Sequence, residues 1–234
     1  MDKYTDNRPN CGVTVCPIKI IDGKINILLY RRGDADVFAS QYSLPNGFVD
    51  ISNEENTEAS AEKALAKKTA SYSNNYMEQL KTYSGGNIDP RKWSVVVSYM
   101  CLNAEQGSGE YIELSEAMGM NLAFNHNEIL NDGVARLISK AEHTDIAAFL
   151  LEDKFTLPEL QEAYEIILGA RLDKSTFRSN VTDAMFLKET NEMSSGRGRS
   201  SKLYELSGSE LTLFYPQSLK KHCKSLSKTR GMSR

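Results

Sequence analysis

The sequence predicts an α+β chain in which a mixed-sheet domain is followed by a helical domain closed by a β-hairpin. Three observations predict it. Residues 11–30 form two β-rich segments around Asp22-Gly23. A β-branched run, RKWSVVVSYMCLN, then follows an alanine- and lysine-rich helical stretch. From residue 125 onward, the pattern changes to helices with recognisable caps, ending in two short strands.

The elements follow in order. An Asp-Gly pair between CGVTVCPIKI and KINILLY is a strong two-residue hairpin signal, because both turn positions need positive φ. Residues 57–69 are rich in alanine, lysine and glutamate and suit a helix. SGGNIDP (84–90) reads as a turn or loop, and RKWSVVVSYMCLN after it as a central strand.

Asn125 is placed to cap a helix over 126–141, and Thr144 another over 145–152. Thr156 and Glu159 have capping-box spacing at the start of LPELQEAYEIIL, which Gly169 closes. After the turn ARLD, Asp173 caps KSTFRSNVTDAMFL, whose apolar face is Phe177, Val181, Ala184 and Met185. LKET and KLYEL then read as strands joined by NEMSSGRGRSS. Helix, helix, turn, helix and hairpin is the order of a winged helix-turn-helix. Lys174, Ser175, Thr176 and Arg178 stand at the amino end of the helix that meets the major groove in such domains. Arg197, Arg199 and Lys202 in the wing suit phosphate contact or minor-groove entry, with Lys188 supporting the wing. A small α/β appendage with a solvated basic face is the alternative.

Charge separates the two parts. The formal charge of −3 is the sum of −10 over residues 1–170 and +7 over residues 171–234. An acidic body joined to a basic C-terminal quarter points to a polyanionic partner. No apolar run approaches the roughly 18 residues of a membrane span, and the polar N-terminus is unlike a signal peptide. The expectation is a cytoplasmic protein without a membrane partner. Cys11, Cys16, Cys101 and Cys223 have no metal-like or redox-like spacing and read as reduced thiols. His126, His143 and His222 are scattered and read as surface or packing residues.

LPNGFVDISNEENTEASAEKALAKKTA (44–70) resembles a Nudix box that has lost its chemistry. The family pattern is G-x5-E-x7-R-E-U-x-E-E-x-G-U. Aligned on the helix, Lys63, Ala64, Leu65, Lys67, Lys68 and Ala70 replace Arg, Glu, an aliphatic residue, Glu, Glu and Gly. Two more residues separate Gly47 from Lys63 than the pattern allows. Nudix enzymes hold Mg²⁺ on those glutamates, and two ammonium groups and a methyl would repel it. The resemblance therefore implies binding without hydrolysis, and no metal. Glu54, Glu55, Glu58 and Glu62 form an acidic helix start that favours the macrodipole, or a weak alternative metal site.

Taken together, the two parts resemble the NrtR family, Nudix-related transcriptional regulators of NAD metabolism. The resemblance covers about residues 10–206. It rests on LPNGFVD, DPRKWSVVVSY, AFNHNEILNDGVARL, FTLPELQEAYEIILGARLDKSTFR and GRGRSSKLYEL. It implies a Nudix-like α/β/α sandwich over 1–143, a winged helix over 144–215 and a basic tail, expected to be mobile, over 216–234. It also implies a homodimer on a palindromic double-stranded DNA operator, an ADP-ribose-type effector and no required cofactor. For effector contacts, Arg31 and Arg32 end a strand where guanidinium groups can bind phosphate, or are simply surface. Tyr42, Phe48 and Trp93 either stack on adenine or ribose or belong to the core. Gly47 permits close approach to a ligand or only a turn, and Lys67 and Lys68 meet the diphosphate or only solvent. A Nudix hydrolase of ADP-ribose-type substrates and a regulator of sugar catabolism are the competing readings.

Overall fold

The computed structural model describes residues 8–53, 55–70, 76–194 and 200–213. The chain forms two compact units, Met1–Ala135 and Arg136–Arg234. The division falls inside the helix His126–Ala141, where the sequence expectation was a junction after residue 143.

The first unit is built on a seven-stranded mixed sheet. β1 (Asn10–Ile21) and β2 (Lys24–Arg31) form the expected hairpin, paired from Ile21↔Lys24. Asp22 and Gly23 both take positive φ, 49° and 72°, as a two-residue hairpin turn requires. β3 (Tyr42–Ser43) pairs with β2, and β4 (Asn46–Phe48) pairs with β1. The β-branched run forms β6 (Ser94–Leu102), parallel to β1 and flanked on its other side by β5 (Met77–Gly85). β7 (Glu110–Glu113) extends the β2 edge and leads into α2 (Leu114–Gly119).

Strand alternation assigns the two faces of this sheet. Val13 and Val15 of β1 pack with Ala61, Ala64 and Leu65 of α1 (Thr57–Ala66). Thr14 and Cys16 point the other way, toward α3 (His126–Ala141). Thr14 reaches His126, and Gly133 lets α3 approach closely: a Cβ there would lie 2.9 Å from the Cys16 sulfur. Helices thus cover both faces, as the α/β/α reading required.

Asn56 caps α1 by accepting from the Ala59 N–H at 2.8 Å. The helix ends at Ala66, earlier than residue 69. The Lys68 and Thr69 amides both turn back to the Leu65 carbonyl, at 2.8 and 3.1 Å. Lys67 and Lys68 therefore lie in the turn that closes the helix, where the box alignment had them within it.

In the second unit, residues 146–150 form a 3-10 turn (Ile146–Leu150) instead of the expected α-helix. Thr144 Oγ1 donates to the Lys140 carbonyl at 2.7 Å and so closes the preceding helix. The wholly buried Asp145 carboxylate accepts from the Thr212 N–H at 2.8 Å, and the Thr144 hydroxyl accepts from the Ile146 N–H at 3.4 Å at the start of the turn. α4 (Leu157–Leu168) carries the predicted capping box, with Glu159 accepting from the Thr156 N–H, and ends at Gly169 in the left-handed region. α5 (Lys174–Asp183) has Asp173 as its N-cap. Phe177 and Val181 are buried as expected, and the Tyr164 and Phe177 rings meet edge to face at 5.6 Å. Met185 is not on that buried face: at φ 55° the chain leaves the helix, exposes Met185 by 82% and buries Phe186 instead. β8 (Leu187–Met193) and β9 (Lys202–Leu206) form the antiparallel wing. Reciprocal backbone bonds between Phe155 and Tyr204, at 2.8 and 3.0 Å, tie the wing to the residue before the Thr156 cap. Among the described residues, no helix is long and apolar enough to cross a membrane.

Candidate functional site

A cleft partly open to solvent lies in the first unit on the α3 side of the sheet. Its floor is the start of β1 and β6, through Gly12, Thr14, Ser94 and Val96. One wall is β4, and the other is Phe124, Asn125 and His126 at the start of α3. Ile88, Asp89 and Arg91, from the loop before β6, close the rim.

Arg91 is held in place by its near neighbour. Its Nε and Nη2 donate to the two carboxylate oxygens of Asp89 at 2.9 and 2.6 Å, a bidentate pair. That guanidinium keeps the buried Asp89 carboxyl below the usual carboxylate range. Its carbon also lies 5.3 Å from the centre of the Phe48 ring, which remains 53% exposed. A flat cationic group on a half-exposed aromatic ring makes a stacking platform at the cleft wall.

His126 forms the inner corner. Its Nδ1 accepts from the Leu44 N–H at 3.0 Å and lies 3.1 Å from the Ser43 hydroxyl. Burial, and secondly the nearby Arg32 charge, depress its pKa to about 3, so the ring is neutral. Beside it, Asn125 Nδ2 is buried and has no hydrogen-bond partner. An unpaired buried amide is costly.

Of the residues proposed from sequence, Gly47 and Phe48 line this cleft; Arg31, Arg32, Tyr42, Lys67, Lys68 and Trp93 do not. Arg32 is turned inward, 9% exposed. It donates to the Val37 carbonyl at 2.6 Å and the Tyr30 hydroxyl at 3.1 Å, and stacks 4.9 Å from the Phe124 ring centre. It therefore braces the cleft wall from behind. Arg31 points to solvent and donates to the Ser40 carbonyl. Tyr42 is bonded to Glu110, which raises its pKa. Trp93 is half exposed beside Gly86. Lys67 is exposed, and Lys68 sits 4.0 Å above the Tyr30 ring, whose hydroxyl donates to Asn46 of the cleft at 2.6 Å. Sequence reasoning missed Arg91, Asn125 and His126. The Asp-x-Arg spacing of Asp89 and Arg91 was the available signal for the first.

At the box helix, Ala64 is 3% exposed and faces Gly47, while Lys63 is ion-paired with Glu55. That pair commits one carboxylate of the acidic helix start; Glu54 lies outside the described residues. Among the described residues, no cluster of His, Cys, Asp and Glu has metal-binding geometry. The buried thiols of Cys16 and Cys101 are both raised to about 12 by burial, which keeps them protonated.

The second unit presents a different surface. Lys174, Ser175 and Arg178 are exposed at the amino end of α5, and Thr176 is half-buried there. Asp173 Oδ1 accepts from the Thr176 N–H at 2.9 Å and the Ser175 hydroxyl at 2.7 Å, bonds that lower its pKa to about 2. Ser175 is thus oriented by the cap. Lys174 and Arg178 have no carboxylate within ion-pair distance among the described residues, so their charges stay available. Lys202 is paired with Glu189 at 2.5 Å and Lys188 with Glu205 at 2.6 Å across the wing. Arg197 and Arg199 lie outside the described residues.

Known proteins share both units. The NrtR DNA-binding winged helix domain matches residues 147–206. An Acinetobacter baylyi protein described as the ADPR responsive transcriptional repressor NtrR is 32% identical over 220 residues, 90% of this chain and 87% of that protein. The crystal structure of Shewanella oneidensis NrtR complexed with a 27mer DNA matches with a TM-score of 0.78 at 32% identity, over 84% of this chain and 93% of that one. The NUDIX domain of the S. oneidensis protein complexed with ADP ribose matches with a TM-score of 0.52 at 29% identity, over 58% and 94%. Sequence likeness running through both units, with the same fold in each, settles the family: the chain belongs to the NrtR family.

Proposed function

We propose that this chain is an ADP-ribose-responsive transcriptional repressor of NAD-cofactor genes. It binds a palindromic operator as a homodimer through its winged helices, acts in the cytoplasm, and holds an ADP-ribose-type effector without hydrolysing it. The observation that carries the reading is the presence, in one chain, of a stacking cleft and a helix-turn-helix with exposed cations, Lys174 and Arg178, toward the amino end of its second helix. The relatives' descriptions, a repressor responsive to ADPR and structures with DNA and with ADP ribose, support each half.

On the DNA side, Arg178 reads base edges, with Ser175 and Thr176 beside it. Lys174, Arg197, Arg199 and Lys202 contact phosphates, Lys202 by exchanging Glu189 for the backbone. On the effector side, Phe48, Arg91 and Asn125 contact the ligand over the small surface of Gly47. Lys68, over the ring of the Tyr30 that bonds Asn46, supplies a cation for the diphosphate. The absence of hydrolysis follows from the buried methyl at position 64 and from Lys67 and Lys68, which supply no carboxylate to a metal. Dimerisation follows from the few base pairs a single winged helix can read.

The test is binding of the full chain to the DNA upstream of its own gene, measured by anisotropy against a metabolite panel. Specific binding weakened by ADP-ribose is expected. Binding that no nucleotide alters would contradict the regulator.

A further inference from the structure

Two side chains of α4 hold the turn that leads into α5. Glu165 Oε1 accepts from the Leu172 N–H at 2.9 Å, and Gln161 Nε2 donates to the Leu172 carbonyl at 3.0 Å. Both backbone groups of Leu172 are thus taken up. Gln161 also donates to Glu165 Oε1 at 2.9 Å, so the pair, four residues apart on one face of α4, forms a single clamp. Arg171 joins it from the solvent side, its Nη1 donating to Glu165 Oε2 at 2.7 Å. The Glu165 side chain is only 10% exposed and stands in the last turn of α4, where the helix dipole disfavours an anion. Burial pushes its carboxyl up, but the bonds from Leu172, Gln161 and Arg171 outweigh burial and hold it below the usual carboxylate range. An ionised group in that place does little for α4 itself. What it does is fix Leu172.

We propose that Gln161 and Glu165 are positioning residues for operator reading: by clamping Leu172 they set the direction of α5, so discrimination between DNA sequences depends on them more than general attraction to DNA does. This rests on the reading of α5 as the helix that meets the bases, and adds what aims it. Leu172 directly precedes Asp173, the N-cap that orders Thr176 and Ser175. The buried side chains of α5 are Phe177 and Val181, which pin it along one line beginning a turn in from its amino end. The amino end itself is steadied by the residue before the cap. Base-edge hydrogen bonds keep their strength over roughly half an ångström, whereas attraction to phosphates reaches about 8–10 Å. A small tilt of α5 therefore costs sequence reading first.

The readout is a ratio: affinity of the full chain for the DNA upstream of its own gene over affinity for an unrelated duplex of equal length, by anisotropy at several salt concentrations. Glu165→Ala and Glu165→Gln both remove one negative charge, so any electrostatic gain is common to them. Only glutamine keeps an oxygen for the Leu172 N–H. Glu165→Ala should lower the ratio about tenfold, and Glu165→Gln should stay within about twofold of the unaltered chain. Gln161→Ala, which leaves the charge untouched, should lower it about fivefold. The double variant should be no worse than Glu165→Ala alone, because both side chains hold one residue. Salt dependence on the unrelated duplex should be the same in the two Glu165 variants, which differ in no phosphate contact.

Equal ratios for Glu165→Ala and Glu165→Gln would overturn the assignment, as would an unchanged ratio in Gln161→Ala; in either case the preference of the unaltered chain keeps the repressor reading intact. If thermal melting shows that Glu165→Ala does not fold, Gln161→Ala carries the test. If neither folds, the pair holds the fold instead of aiming the helix, and the assignment falls. An unaltered chain with no preference for its upstream DNA would remove the repressor reading and this assignment with it.

Discussion

Lowering the pH from 7 to 5 should destabilise the first unit by about 2 kcal/mol through His126 alone. The imidazole is 2% exposed, and its Nδ1 is occupied by the Leu44 N–H. Protonation would both bury a charge and turn an acceptor into a donor facing another donor. Burial chiefly, with the Arg32 charge, lowers the folded pKa from 6.5 to about 3. The unfolded chain therefore binds a proton below about pH 6.5, and the folded chain does not until near pH 3. The contribution is fully present above the unfolded pKa and is lost as pH falls toward the folded one. At pH 5 the unfolded imidazole is roughly 1.5 units below its pKa, which gives RT ln(1 + 10^1.5), or about 2 kcal/mol. Between pH 7 and 5 this figure depends on the unfolded pKa and hardly at all on how far below 5 the folded value lies. Trp93 lies in the same unit, so urea unfolding followed by its emission at the two pH values reads the quantity directly. His126→Gln, which cannot titrate, should lower stability at both pH values but shrink the difference between them by about 2 kcal/mol. Equal pH dependence in the two proteins would refute the argument, whatever the variant's absolute stability.

Purified protein should not hydrolyse ADP-ribose with Mg²⁺ or Mn²⁺; turnover abolished by Glu55→Gln or Glu58→Gln would show that a different carboxylate set binds the metal. Arg178→Ala should cost about 1–3 kcal/mol of operator affinity and relax specificity at one base position, measured by anisotropy across a set of mutated operators. Lys202→Ala should weaken all sequences alike and make the salt dependence shallower, by less than a free lysine would, because the ion pair with Glu189 must first be given up.

The sequence disclosed the elements whose signals are local. Asp22-Gly23, the Thr156/Glu159 box, the Asp173 cap and the β-branched run at 94–102 each act within a few residues, and each stands where expected. Met77–Gly85 escaped notice because it is an edge strand with only Leu80 and Tyr83 buried, so its composition reads as polar. The cleft was harder, since Gly12, Asn46, Arg91 and Asn125 come from four distant segments that only the sheet brings together. Arg32 was legible as an arginine at a strand end, but nothing in its neighbours said that it would turn inward to Val37 and Phe124. Lys67 and Lys68 were placed by aligning a helix end to end, and the helix stops one residue before them. Met185 fits an apolar periodicity that its own left-handed backbone interrupts.

The central claim is that effector binding and operator binding are coupled. Linkage requires a ligand that changes DNA affinity by some factor to have its own affinity changed by DNA by that same factor. Calorimetric titration of ADP-ribose into the full chain, alone and saturated with its operator, measures this most directly. The account predicts weaker ADP-ribose binding in the operator complex, by the same factor by which ADP-ribose weakens operator binding. Identical ADP-ribose affinities with and without operator would contradict it, leaving a DNA-binding protein and a nucleotide cleft with no regulation between them.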